Sequence, residues 1–174
     1  MQEIKREVLV NKASELLKNG TVDRVFGWKK GEFDYDITPA LFTSAEDIEK
    51  EFVWGDFCGA NFSKYLVKET GKSENKVLVF LKPCDTYSFN QLLTEHRFDR
   101  EKVYAVGVPC AGMLDTGKIK SNAEGVAKVT DNGDKVIIET LFDGEITLDR
   151  NKLLPDRCLN CKSKKHVAYD ELLG

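Results

Sequence analysis

The sequence predicts an α/β fold: a central, mostly parallel sheet with flanking helices and a small antiparallel β meander. Three observations carry that prediction. Residues 77–81 read VLVFL and residues 103–108 read VYAVGV, continuous apolar runs of the kind that parallel sheets bury on both faces. Between them Phe89, Leu92 and Leu93 recur at helical spacing. This makes a βαβ unit, whose crossover is right-handed in nearly all sheets and sets its strands parallel. From residue 122 to 148 the pattern changes to short β-rich runs, broken by the hairpin signals Asp131-Asn132-Gly133 and Asp143-Gly144.

The remaining elements follow in chain order. Residues 2–19 place Ile4, Val8, Leu9, Ala13, Leu16 and Leu17 on roughly one helical face, and Asn19-Gly20 is a stop signal. Residues 22–28 and 33–41 read as two strands around the turn-like 29–32. The second alternates Phe33, Tyr35 and Ile37 with Asp34, Asp36 and Thr38, the pattern of a half-exposed strand. Ser44 opens a short acidic helix with Glu46 and Asp47 in its first turn, where the helix dipole favours negative charge. Residues 61–70 look helical before Gly71. Asp85 is placed to cap the helix of the βαβ unit.

A length of 174 residues suits one domain with a real core. The expected organisation is a single α/β domain over 1–174, with 122–149 as a β-rich insertion and 155–174 as a cysteine-containing tail. A hydrophobic share of 41% and a charged share of 32% are ordinary for a soluble globular chain, and the net charge of −3 gives no basic field for nucleic acid. The first residues, MQEIKREVLV, read as a charged helical segment and are not expected to be a signal peptide, and no apolar run is long enough to span a membrane. The expected location is cytoplasmic.

Chemistry concentrates in five cysteines, Cys58, Cys84, Cys110, Cys158 and Cys161. An odd number in a reducing compartment argues against a disulfide framework and for metal or redox chemistry. Each strand of the βαβ unit runs into a Pro-Cys pair, Pro83-Cys84 and Pro109-Cys110. If the strands are neighbours, both thiols leave the carboxyl edge of the sheet about 5 Å apart, where ligands of open α/β sheets collect. Cys158-Leu159-Asn160-Cys161 has the two-thiolate spacing shared by zinc knuckles and iron–sulfur proteins.

The expected metal ligands are therefore Cys84, Cys110, Cys158 and Cys161, the ligand count of a tetrahedral zinc or a 4Fe–4S cluster. Ligands scattered over a core suit the embedded cluster better than a zinc site made of two knuckles. The alternative is a zinc-stabilised interaction module without redox activity. Cys58 lies among Trp54, Phe57 and Phe62 and is expected to be a buried, small apolar side chain, with a ligand role in place of Cys84 as its alternative. Lys162, Lys164, Lys165 and His166 follow the C-x-x-C pair. They read either as cations that favour a reduced cluster and guide an acidic partner, or as a solvated basic loop. His96 and His166 have no metal-like spacing, Gly107 and Gly112 make no phosphate loop, and no Ser-His-Asp order stands out.

At KPCD (82–85), VGVPCAGM (106–113) and RCLNC (157–161) the chain resembles the beta-subunit family of deazaflavin-reducing hydrogenases and formate dehydrogenases. Residues 22–47 add a looser match. The resemblance implies an α/β fold carrying a 4Fe–4S cluster, often beside FAD, and electron transfer among flavin, ferredoxin-type clusters and a catalytic partner. The implied partners are hydrogenase, formate dehydrogenase or ferredoxin-type redox subunits. Cys110, Cys158 and Cys161 match best as ligands, followed by Cys84.

Overall fold

The computed structural model describes residues 4–33 and 35–174. The chain is α/β as expected. A six-stranded mixed sheet runs in the order β2-β1-β4-β5-β9, with β3 paired to β1, and a separate three-stranded antiparallel sheet runs β6-β7-β8. The strands of the first sheet are β1 (Arg24–Lys30), β2 (Ile37–Phe42), β3 (Phe52–Val53), β4 (Val77–Leu81), β5 (Val103–Gly107) and β9 (Glu171–Leu172). β1, β4, β5 and β9 are parallel, and β2 and β3 are antiparallel to β1.

The two central strands behave as their composition demands. Every residue of β4 is buried, and Val77 to Leu81 pair in register with Val103 to Gly107. Between the strands runs helix α4 (Pro83–Thr94), which buries Phe89 against the sheet. It starts two residues earlier than the expected Asp85 cap. Proline lacks the N–H that a first helical turn cannot use, and its fixed φ already suits a helix. Lys82 is thus the N-cap, and Asp85, inside the first turn, accepts from the Lys82 backbone N–H at 3.1 Å.

Helix α1 (Arg6–Lys18) packs Leu9, Val10, Ala13 and Leu16 into the core; residues 2 and 3 of the expected helix lie outside the described residues. The first hairpin is displaced from its sequence reading. β2 begins at Ile37, not Phe33, because residues 31–36 close as a turn in which Gly31 N–H donates to Asp36 O at 2.6 Å and Asp36 N–H to Phe33 O at 3.0 Å. Asp34 lies outside the described residues. Ser44 caps α2 (Ala45–Glu51) through Asp47 N–H, and α3 (Ser63–Glu69) follows.

The meander comprises β6 (Val126–Asp131), β7 (Lys135–Thr140) and β8 (Glu145–Asp149), turned at Asp131-Asn132-Gly133 and Asp143-Gly144. It has an apolar cluster of its own. Val126, Val136 and Ile138 meet Leu114, Ile119 and Ala123 from the segment around α5 (Thr116–Asn122), and Leu153 and Leu154 from the end of α6 (Arg150–Leu153). The cysteine-containing tail is partly helical. Cys158 sits on a one-turn helix, α7 (Asp156–Leu159), with Cys161 just beyond it. The chain then returns to the main sheet as β9, too short a strand for any sequence pattern to announce.

Candidate metal centre

The four expected ligands come from three places. Cys84 is in the first turn of α4, directly after β4; Cys110 follows β5; Cys158 and Cys161 flank the end of α7. Because β4 and β5 are parallel neighbours, the first two thiols stand at the same carboxyl edge. The other two are brought there through the 110–113 loop. Cys110 Sγ accepts from Gly112 N–H at 3.4 Å. Gly112 has φ +100°, and a Cβ on it would lie 3.7 Å from Cys158 Cβ.

The thiols feel one another. Desolvation first, then the Asp85 carboxylate and, more weakly, charge on Cys110 and Cys161, push the Cys84 thiol up to about 11 against the opposing Lys82 charge. Burial also raises Cys110, the Gly112 N–H and the Lys82 charge oppose that rise, and charge on Cys158 adds to it. Each of the four is therefore within electrostatic reach of another. Cys58 is not part of this set. It is 1% exposed, burial pushes its thiol up to about 12, and its sulfur faces Val53 O at 3.8 Å.

All five cysteines are free, yet among the described residues no three His, Cys, Asp or Glu side chains stand close enough to share one metal ion. A zinc ion needs its thiolates about 2.3 Å from a single point. A 4Fe–4S cluster is a larger body held by the same four thiolates, spaced more widely. Cys84, Cys110, Cys158 and Cys161 are free thiols, a donor set of the kind such a cluster uses.

Three residues to which the sequence reading gave no such role hold this edge together. Lys82 is buried with its Nζ 2.8 Å from Asp85 Oδ2; it also donates to Ala60 O at 3.0 Å and Cys58 O at 3.3 Å, and lies 5.3 Å from the centroid of the Trp28 ring. Its charge pulls the thiols of Cys58, Cys84 and Cys110 down against desolvation. Arg150 fastens the Cys110 loop to the meander. It donates to Ala111 O at 3.2 Å and Gly112 O at 3.1 Å while pairing with Asp131. His166, read as part of a basic run that is either cluster-facing or solvated, is half-buried and reaches Leu81 O and Val108 O. Lys162, Lys164 and Lys165 are exposed or nearly so, as a solvated basic run would be.

Two curated proteins are similar to this chain over 99 residues. One is the F420-dependent formate dehydrogenase subunit beta of Methanocaldococcus jannaschii, 28% identical over 57% of this chain and 26% of its own length. The other is the F420-dependent formate dehydrogenase 1 subunit beta of Methanococcus maripaludis, 32% identical over 57% of this chain and 25% of its own. The chain resembles formate dehydrogenase beta subunits. That is the family its motifs pointed to. The match spans about a quarter of the length of these relatives. No family model matches the chain. Among solved structures, a chain of the F420-reducing NiFe hydrogenase complex from Methanosarcina barkeri superposes with a TM-score of 0.65 over 87% of this chain and 57% of that one. At 19% identity this likeness establishes the fold. No described helix is long and apolar enough to cross a membrane.

Proposed function

We propose that this chain is an electron-transfer subunit or domain of an anaerobic, cytoplasmic oxidoreductase complex. In this reading Cys84, Cys110, Cys158 and Cys161 hold a 4Fe–4S cluster, and electrons pass between a partner redox centre and flavin or ferredoxin. The observation that carries the proposal is the gathering of four free thiols, from three separate segments, at the carboxyl edge of β4 and β5. The likeness to beta subunits of F420-dependent formate dehydrogenases supports the same class of partner, a hydrogenase- or formate dehydrogenase-type redox subunit.

When bound, such a cluster supplies one-electron transfer at a potential tuned by hydrogen bonds and nearby charge. The chain's own residues supply the rest. Cys84 and Cys110 release protons whose loss burial opposes, so loading is favoured by rising pH. Gly112 N–H points at the Cys110 sulfur, and Lys82 provides a buried cation next to two of the ligands. FAD beside the cluster belongs to the same proposal. The exposed Lys162, Lys164 and Lys165 would face an acidic partner.

Anaerobic reconstitution with iron and sulfide tests this directly. About four irons per chain, with thiolate-to-iron charge-transfer absorption, is the expected result. A single zinc per chain in protein purified without air, with no such absorption, would support the zinc-stabilised interaction module instead. Cys161→Ser should lose most of the iron while Cys58→Ser keeps it, because only the former removes a ligand thiolate. Equal loss in both would overturn the ligand set.

A further inference from the structure

His166 Nε2 lies 3.0 Å from Leu81 O and 3.1 Å from Val108 O. Both partners are carbonyl acceptors, so this nitrogen must carry its proton and donate to both. The two carbonyls lie at the ends of neighbouring parallel strands. Leu81 ends β4, two residues before Pro83, and Val108 follows β5, directly before Pro109. One imidazole thus touches the root of each Pro-Cys pair, although its partners are 85 and 58 residues away in sequence. It also belongs to the segment that supplies Cys158 and Cys161.

The surroundings are shaped for the ring. A Cβ on Gly107 would fall 2.9 Å from His166 Cδ2 and 2.5 Å from Leu172 Cδ2, so glycine leaves the imidazole its room. Beyond the ring the segment is sewn down. Val167 N–H donates to Thr86 Oγ1 at 3.1 Å, Asp170 N–H to Ala105 O at 2.7 Å, and Leu173 N–H to Gly107 O at 2.9 Å.

We propose that His166 is a positioning residue: it sets the separation of the two Pro-Cys strand ends and fixes the Cys158–Cys161 turn over them. Its bearing on iron rests on the cluster reading given above. The latch itself does not, and the two can be tested apart.

The variants are His166→Gln, whose side-chain amide can donate from nearly the same place, and His166→Phe, which keeps a ring but cannot donate. Wild type and both variants are reconstituted anaerobically, and backbone amide exchange is measured on the metal-free proteins. The expected result is near wild-type iron affinity in His166→Gln and a loss of about tenfold or more in His166→Phe, the usual cost of removing an outer hydrogen bond from a metal site. Exchange at Val108, Asp170 and Leu173 should quicken about tenfold in His166→Phe and little in His166→Gln. If Phe rescues as well as Gln, the ring is merely packing and the proposal is overturned. If wild type takes up no iron, the cluster reading falls, while unchanged exchange in His166→Phe overturns the latch on its own. Should His166→Phe fail to fold, Gly107→Ala displaces the imidazole from the other side. It must quicken exchange at the same amides for the proposal to stand.

Discussion

Two regions of this protein carry the thiols proposed as ligands, and they are built in opposite ways. The β4-α4-β5 unit is a fully buried parallel pair with a helix across it, and it presents Cys84 and Cys110 from strand ends. The segment from Asp156 onward is a single helical turn, an exposed basic run and a two-residue strand, and it presents Cys158 and Cys161. The first region is held by apolar area, the second by a few named hydrogen bonds. Hydrophobic burial is large and non-directional, whereas a net hydrogen bond contributes only about 1 kcal/mol. The β4-α4-β5 unit should therefore dominate global stability, and the tail should open first.

The largest effect that would test this contrast comes from the β4-α4-β5 unit. Phe80 is 0% exposed and meets Phe52 edge-on at 5.8 Å between centroids. Phe80→Ala should cost about 3–5 kcal/mol, read as a fall in the urea midpoint. A loss below about 1 kcal/mol would mean that the two regions do not differ in the way described.

Next comes the buried ion pair. Lys82→Met removes the cation facing Asp85, whose carboxylate is almost inaccessible to solvent, with side-chain exposures of 3% and 4% for the pair. Leaving a buried charge without its partner costs about 3–5 kcal/mol. Replacing Asp85 by Leu in the same chain should recover much of that loss, since the penalty arises from the orphaned carboxylate. Absence of any recovery in urea titrations of the double variant would show that the lysine acts mainly through Cys58 O and Ala60 O.

What the residues revealed in advance follows the same division. Uninterrupted apolar runs, helical spacing across Phe89, Leu92 and Leu93, and Gly-containing hairpin signals are local patterns, and they located the βαβ unit and the meander. The hairpin after β1 misled because Phe33 and Tyr35 alternate like strand residues yet stack on each other in a turn, their rings 5.4 Å apart and 5° from coplanar. The strand-end cysteines and the C-x-x-C pair stood out by their spacing, which is also local. Lys82, Arg150 and His166 did not, because their meaning depends on partners far off in the chain. A lone lysine before Pro-Cys is by default solvent-exposed, and nothing in its neighbourhood signals Cys58 O or Trp28. A single pattern would have helped: Lys82 and Asp85 bracket Pro-Cys at a spacing of three, where opposite charges meet on a helix start.

A pH experiment gives a smaller effect within the core. Burial raises the Cys58 thiol from 9.0 to about 12, so the folded state favours the protonated form. The stability this contributes is present below pH 9.0 and is lost as pH rises from there through about 12. The slope of that loss is at most about 1.4 kcal/mol per pH unit. Cys58→Ala removes the titration and leaves a constant packing cost. The gap between wild type and Cys58→Ala in urea titrations should therefore be wider at pH 8 than at pH 10.5. A gap independent of pH would show that the thiol does not stay protonated in the fold.

The smallest expected effect belongs to the tail. Leu172 in β9 is 46% exposed, and its Cδ2 lies beside Gly107. Truncating so exposed a side chain should move global stability by no more than about 0.5 kcal/mol. If the tail is held by directed bonds, Leu172→Ala should leave the urea midpoint unchanged and barely alter protection of the Leu173 amide, which donates to Gly107 O. A large rise in exchange at Leu173 with an unchanged midpoint would show that apolar contact, not hydrogen bonding, seats the strand. A fall in the midpoint as well would erase the distinction, because tail and core would then unfold as one unit.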